Sequence, residues 1–241
     1  MTPRKLWLAA ASLIVLVGAA LAQVPSGGFN EIPAPPKVNV QDKEDVWVLD
    51  FRFKTPRVIN ADVPGRGKKN VLYLWYQVSN KTGQPRTFIP DFELVTRTSE
   101  KTTVHADQVL PKVQEAIAKV EDTTGFLNIR NSVTIAAQPV PATKPDSNPI
   151  QVTGVALWPD VFDAAPNMTS FSIFVSGLSN GWSVDDQGQV RRKTLQLNFR
   201  RNTDARHVDG ESIRFVPPHE WVYRSTSVKA PTIKQAAAPD K

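Results

Sequence analysis

The sequence contains no cysteine and only three histidines, His105, His207 and His219, among its 241 residues. A chain without cysteine has no disulfide bond, so an ordinary hydrophobic core must hold its fold. Three imidazoles far apart in sequence are more typical of solvated or hydrogen-bonded residues than of metal ligands. His219 and Glu220 begin an H-E-x-x-H zinc motif, but its fifth position is Tyr223, so the motif is incomplete.

Long hydrophobic runs are also scarce, since the one such run occupies residues 6–19. Two cations precede it, and an A-x-A pattern follows it at residues 20–22, as in a signal peptide with its cleavage site. An uncleaved anchor is the alternative, but the run is shorter than the ~20 apolar residues of a spanning helix. We predict a signal peptide over residues 1–22, cleavage before Gln23, and an exported protein, periplasmic or extracellular, without a membrane span after cleavage.

No block of charge stands out in the chain. Loss of the two cations in residues 1–22 lowers the formal net charge from +6 to +4, and the remaining cations are spread along the sequence. A nucleic-acid partner is therefore not expected. Gly65-Arg66-Gly67 with the lysines after it lacks the spacing of a phosphate loop and fits a turn between two strands. We predict no cofactor.

Composition divides the mature chain into three parts. Residues 23–43 are rich in proline and glycine and lack apolar periodicity, which indicates a flexible N-terminal tether. Residues 227–241 are rich in alanine and proline and indicate a disordered C-terminal tail. Residues 44–226 lie between them and are expected to form one domain.

Alternation of apolar and polar residues with a period of two dominates this domain. It is clearest at residues 47–53, 171–175 and 195–199. Such strands have one dry face each, and packing one sheet on another buries that face. We therefore predict a mainly β fold, an immunoglobulin-like antiparallel β-sandwich.

Two further segments add detail to this fold. Residues 71–95 are typical of a β-hairpin, with Leu72, Leu74, Tyr76 and Val78 on one face and a turn at Asn80-Lys81-Thr82-Gly83. Pro90 predicts an edge or bulge on the returning strand. Helical spacing of Leu110, Val113, Ile117 and Val120, with Pro111 at the first helical position, predicts one inserted amphipathic helix.

Aromatic residues provide the candidate ligand-binding groups. On the strand that carries Tyr76, the side chains of Tyr73, Trp75 and Gln77 point to the opposite face, where two rings form a platform suited to stacking on sugars. The alternative is that the helix or a loop covers these rings. Trp182, in an end loop, is a further candidate.

Clustered carboxylates suggest a weaker calcium hypothesis. Asp160 with Asp163, and Asp185 with Asp186, are the candidates, but neither group has the spaced oxygen ligands of a calcium loop. Asp185 and Asp186 also fit an ordinary turn before a strand, so we assign no metal. Arg192 and Arg200, together with Gln196 and Asn198, line an outward polar face that could contact an acidic polymer or be simply solvated.

Four stretches of the sequence resemble a known family. They are YLWYQVSNKTG (73–83), RTFIPDFELVT (86–96), VTGVALWPDVFD (152–163) and FVSGLSNGW (174–182). Together they are similar to a family of exported planctomycete proteins without an assigned function, and the similarity extends over most of residues 45–226. The resemblance implies export and brings no active site.

Three functions are compatible with these features. The first is an exported, non-catalytic interaction module that contacts another envelope protein. The second is a carbohydrate-binding module, which needs exposed rings at Tyr73, Trp75 or Trp182. The third is a metal-assisted hydrolase, which needs the four aspartates to converge in one cleft. We predict the first, with no enzymatic activity and with an unknown oligomeric state.

Overall fold

The structure of the protein is a computed structural model that describes residues 28–35, 45–98, 101–202 and 212–225. The predicted signal peptide, its cleavage site and the predicted C-terminal tail at 227–241 lie outside these residues. None of the described helices is long and apolar enough to cross a membrane.

The described chain forms two antiparallel sheets. The five-stranded sheet contains β1 (Asn30–Ile32), β2 (Asp50–Phe53), β3 (Arg57–Val63), β4 (Gly67–Ser79) and β7 (Val152–Trp158). The six-stranded sheet contains β5 (Asp91–Arg97), β6 (Thr102–Ala106), β8 (Ser170–Ser176), β9 (Trp182–Val184), β10 (Val190–Arg201) and β11 (Ile213–Arg224). The predicted mainly β sandwich is confirmed, while its immunoglobulin-like character stays a prediction.

The main core fills the space between the two sheets. Tyr76 of β4 contacts Phe51 at 5.5 Å and Phe92 of the opposite sheet at 4.8 Å between ring centroids. Phe53 meets Phe199 edge to face at 5.9 Å. All five rings are buried, and such aromatic pairs add about 0.5 to 1.5 kcal/mol beyond their burial. The apolar side chains at alternate strand positions therefore hold the sheets together.

The predicted amphipathic helix is α1 (Pro111–Glu121), with proline in its first turn. Val113 and Ile117 are buried as expected and pack on the outer side of the five-stranded sheet, whereas Val120 is exposed. A short helix, α2 (Val161–Ala164), follows β7. The described residues thus form a second apolar layer, which covers the outer side of the five-stranded sheet.

The predicted hairpin over residues 71–95 is wrong. β4 pairs with β2, β3 and β7, whereas β5 pairs with β6 and β8 of the other sheet. Two strands that face each other across a core alternate just as two paired strands do, so alternation does not separate the two cases. Pro90 precedes β5, which lies inside its sheet rather than at an edge.

The segment expected to be a tether contains β1. Asn30 pairs with Phe53 and Ile32 pairs with Phe51, and Ile32 is buried in the main core. The prediction for residues 23–43 is therefore wrong for these three residues. Three residues are too few to show a periodicity in the sequence, which explains why the strand was not predicted.

Candidate functional site

The aromatic platform expected on β4 is covered. Tyr73 and Trp75 are 2% and 5% exposed, and they pack in one cluster with Val113 and Ile117 of α1. The ring of Phe29, from the segment before β1, lies 5.1 Å from that of Trp75. These rings are therefore core residues, and the alternative that the helix covers them is correct.

Gln77, the third predicted residue of that face, is also buried. Its Nε2 donates a hydrogen bond to Thr153 Oγ1 at 3.0 Å, and its Oε1 accepts one from Arg52 Nε at 2.7 Å. Both ends of the amide are thus used inside the protein. Gln77 links β4 to β2 and β7 and is not a free ligand-binding group.

The same face contains a buried carboxylate that the sequence analysis did not single out. Glu121, at the end of α1, accepts hydrogen bonds from Arg57 Nη1 at 2.8 Å and from the Tyr73 hydroxyl at 2.8 Å, and Lys54 Nζ lies 3.5 Å away. Burial, and then the adjacent Glu121, raise the pKa of Tyr73. The polar contacts fasten the helix to the sheet, so this cluster is structural.

Asp160 and Asp163 are held by cations rather than arranged around a metal. Asp160 accepts hydrogen bonds from Arg66, Lys69 and Gln108, and Asp163 accepts one from Lys69. Desolvation opposes ionisation of Asp160, but these hydrogen bonds outweigh it and lower its pKa. The two carboxylates thus join the β3–β4 turn to α2.

Asp185 organises the turn between β9 and β10. Its Oδ1 accepts the backbone N–H groups of Gln187 at 2.9 Å and Gln189 at 2.8 Å, and its Oδ2 forms an ion pair with Arg191 at 2.9 Å. The hydrogen bond from Gln189 is the main reason that its pKa is lowered. Asp186 is exposed beside it. Across the described ranges, no three His, Asp or Glu side chains gather in a group able to hold a metal ion.

Of the four predicted ligand-binding residues, Trp182 lies at an open surface. Its side chain is 43% exposed, and it borders an open depression of about 460 Å³. The walls are formed by Gly177, Ser179, Asn180, Gly181, Val190 and Arg192. Polar and apolar residues both line the depression, so it suits a ligand with both characters.

Strand pairing places other exposed residues on the same face as Trp182. Trp182 pairs with Arg192, and Val184 pairs with Val190, so all four side chains point to the outer side of the six-stranded sheet. Val184 and Val190 are 52% and 58% exposed. We call Trp182, Val184, Val190 and Arg192 the Trp182 surface.

A charged cluster adjoins the Trp182 surface. Arg224 of β11 lies over the Phe174 ring at 3.9 Å and forms an ion pair with Glu93 at 2.7 Å. Burial, and then the charge of Glu93, raise the pKa of Asp91 nearby. The sequence analysis missed this cluster. Its signal in the sequence is Phe174, a large apolar residue at an outward position among Ser170, Ser172 and Ser176.

Comparison of the chain with protein-family models, with curated proteins and with solved structures finds no match.

Proposed function

We propose that the protein is an exported, non-catalytic interaction module that binds its ligand through the Trp182 surface. The observation that carries this proposal is the exposure of Trp182, Val184 and Val190 side by side on one sheet face. Adjacent exposed apolar residues with a polar rim are typical of interaction sites. Export is supported by the signal-peptide pattern of residues 1–22.

The positions of the aspartates that a metal-assisted hydrolase would need support a non-catalytic role. Asp160 and Asp163 are bound to Arg66 and Lys69 beside the five-stranded sheet. Asp185 is bound to its own turn at the end of the six-stranded sheet. A metal-assisted hydrolase needs such groups together in one cleft, and these carboxylates belong to separate structural contacts.

Carbohydrate is a second candidate ligand because the surroundings of Trp182 suit a sugar. An indole ring offers a flat apolar face for the C–H groups of a pyranose. Arg192 borders the same depression and pairs with Trp182, whereas the side chains of Ser179 and Asn180 in its wall are hydrogen-bonded within the protein. Trp182 thus replaces Tyr73 and Trp75 as the ring on which this hypothesis depends.

The test compares variants of the chain from Gln23 to Lys241 on a glycan array and on an immobilised envelope fraction. Trp182→Ala, and Val184→Ser with Val190→Ser, are expected to lower the wild-type signal at least about tenfold, because buried interface aromatics dominate binding. Val120→Ser is the matched control, since Val120 is also exposed but lies on α1. A wild-type signal in the Trp182→Ala variant would exclude the Trp182 surface as the binding site.

A further inference from the structure

Three arginines lie in one row across the end of the six-stranded sheet that is far from Trp182. Arg200 of β10 pairs with Arg214 of β11, and on its other side it pairs with Ser170 of β8. The register of β5 and β8, continued by one residue, brings Arg97 opposite Ser170. We call Arg97, Arg200 and Arg214 the arginine row.

The charges of the arginine row are not neutralised by the described part of the protein. All three residues are exposed, and no described residue gives their side chains a hydrogen bond or an ion pair. Like charges directly opposite each other destabilise an antiparallel pair of strands, and Arg200 with Arg214 is such a pair. An anion bound between the guanidinium groups would relieve this repulsion.

Polar side chains continue from the arginine row toward Trp182. The Oδ1 atom of Asn198 accepts hydrogen bonds from Ser172 Oγ at 2.8 Å and from Gln196 Nε2 at 3.0 Å. These two bonds fix the amide of Asn198, and its Nδ2 has no acceptor within the described ranges. A fixed amide donor on a flat face suits the hydroxyl or carboxylate oxygens of a ligand.

The described acidic residues of this face lie level with the middle of β10 or closer to its Trp182 end. Glu93 is paired with Arg224 at 2.7 Å, and Asp91 is the next outward residue along β5. Glu220 is exposed opposite Gln196. Among the described residues, no acid lies in register with the arginine row, so that end attracts an anionic group of a ligand.

The distance between the two ends suits a polymer. Trp182 pairs with Arg192, and Arg200 lies eight positions further along β10, which corresponds to ~27 Å at about 3.4 Å per residue. This is the length of several linked sugar residues. The face offers the arginine row at one end, amides between, and an indole beside Arg192 at the other end.

We propose that this face binds an acidic polysaccharide that lies along β10, with a carboxylate or sulfate group on the arginine row and a sugar ring against Trp182. The proposal rests on the proposed function, to which it adds the ligand class and a second contact region. A protein ligand is less well matched, because the face is flat and its central donors suit repeated hydroxyl and acidic groups better than an apolar side chain.

The experiment measures affinity by calorimetric titration of the chain from Gln23 to Lys241. The probes are polygalacturonate, dextran sulfate, neutral dextran and phosphatidylglycerol vesicles. Arg200→Gln with Arg214→Gln removes two charges of the arginine row, and Lys112→Gln with Lys119→Gln removes two exposed charges of α1 as the matched control. Trp182→Ala is measured in parallel.

We expect the chain to bind one or both acidic polymers, with an affinity that falls as salt is added. The arginine double variant should lose at least about tenfold of that affinity, and the lysine control should keep it. Wild-type affinity in the arginine double variant overturns the inference, as does binding only to vesicles, only to neutral dextran or to none of the probes.

The two proposals fail separately in this experiment. If Trp182→Ala alone weakens binding, the arginine row is not a contact region and the Trp182 surface stands. If the arginine double variant alone weakens it, the acidic ligand stands and the Trp182 surface is excluded.

Discussion

The two sheets of the sandwich have very different outer faces. The outer face of the five-stranded sheet, with Tyr73, Trp75 and Gln77, is covered by α1 and by Phe29, and we call it the covered face. The outer face of the six-stranded sheet, with Trp182 at one end and Arg200 at the other, is the open face. Both faces contain tryptophan and arginine. Residue type alone therefore does not identify a binding surface. A binding surface is identified by whether another element packs over the strand.

The two faces differ in whether their arginine and lysine side chains are paired with a carboxylate. On the covered face, Arg57 and Lys54 surround Glu121, so the cations are neutralised by one buried carboxylate. On the open face, Arg200 and Arg214 lie opposite each other without such an acid among the described residues. The first arrangement fastens a helix to the fold, and the second is suited to an external anion.

The largest expected effect separates the two tryptophans of these faces. Trp75→Ala removes a ring that is 5% exposed and leaves a cavity under α1, so it should cost about 3 to 5 kcal/mol of unfolding free energy. Trp182→Ala should cost less than about 1 kcal/mol, because that ring is 43% exposed. Urea unfolding of both variants provides the comparison. Equal losses would mean that the two faces are covered alike.

The next effect concerns Asp107, which joins the two sheets. Its backbone N–H bonds to Phe92 in β5, and its Oδ1 accepts the N–H of Leu157 in β7 at 2.6 Å, while Ser132 donates to Oδ2. Burial is the main reason that the pKa of Asp107 is raised to about 6. The folded protein therefore holds this proton more tightly than the unfolded chain does.

This group stabilises the fold fully below about pH 4, and the contribution is lost as pH rises through about 6. The loss should be roughly 2 to 3 kcal/mol, from a shift of about two pKa units. Asp107→Asn keeps an acceptor for Leu157 and should remove this part of the pH dependence. Urea unfolding from pH 4 to 7 measures the pH dependence of the unfolding free energy. Identical pH profiles for the variant and the wild type would contradict a raised pKa at Asp107.

A smaller effect is expected at the end of α1. Glu121→Gln keeps an acceptor for Tyr73 but removes the charge that faces Arg57 and Lys54, so it should cost about 1 to 2 kcal/mol. Glu115→Gln, on the exposed side of the same helix, should change stability by less than about 0.5 kcal/mol. Thermal unfolding distinguishes them, and a Glu121 variant as stable as the Glu115 variant would show that the buried cluster does not hold the helix.

The sequence was sufficient to predict β2, β4, β8 and β10, the two-layer sandwich and α1, because each depends on local periodicity. It was not sufficient to assign β4 and β5 to different sheets, since their alternation is the same in either arrangement. The covering of Tyr73 and Trp75 depends on where α1 packs, which is a long-range contact. Covering of these two rings was one of the two alternatives considered, but the local sequence pattern does not distinguish a covered ring from an exposed one.

For the candidate site, the sequence identified Trp182 and the outward residues Arg192 and Arg200. It missed the pairing of Arg200 with Arg214, because alternation within a strand does not say which residues of two strands lie opposite each other. Further along the same two strands the register shifts between Gln196 and Asn198, and such a bulge has no clear mark in the sequence. Cross-strand neighbours were therefore beyond the reach of the sequence analysis.

We propose that the open face receives the ligand while the covered face maintains the fold. Hydroxyl-radical footprinting of the chain from Gln23 to Lys241, with and without polygalacturonate, tests it most directly by comparing oxidation at Trp75 and Trp182. We predict that Trp182 is oxidised readily and is protected by the polymer, and that Trp75 stays largely unmodified in both samples. Oxidation of Trp75 at the rate of Trp182, or no protection of Trp182 at saturating polymer, would contradict the account.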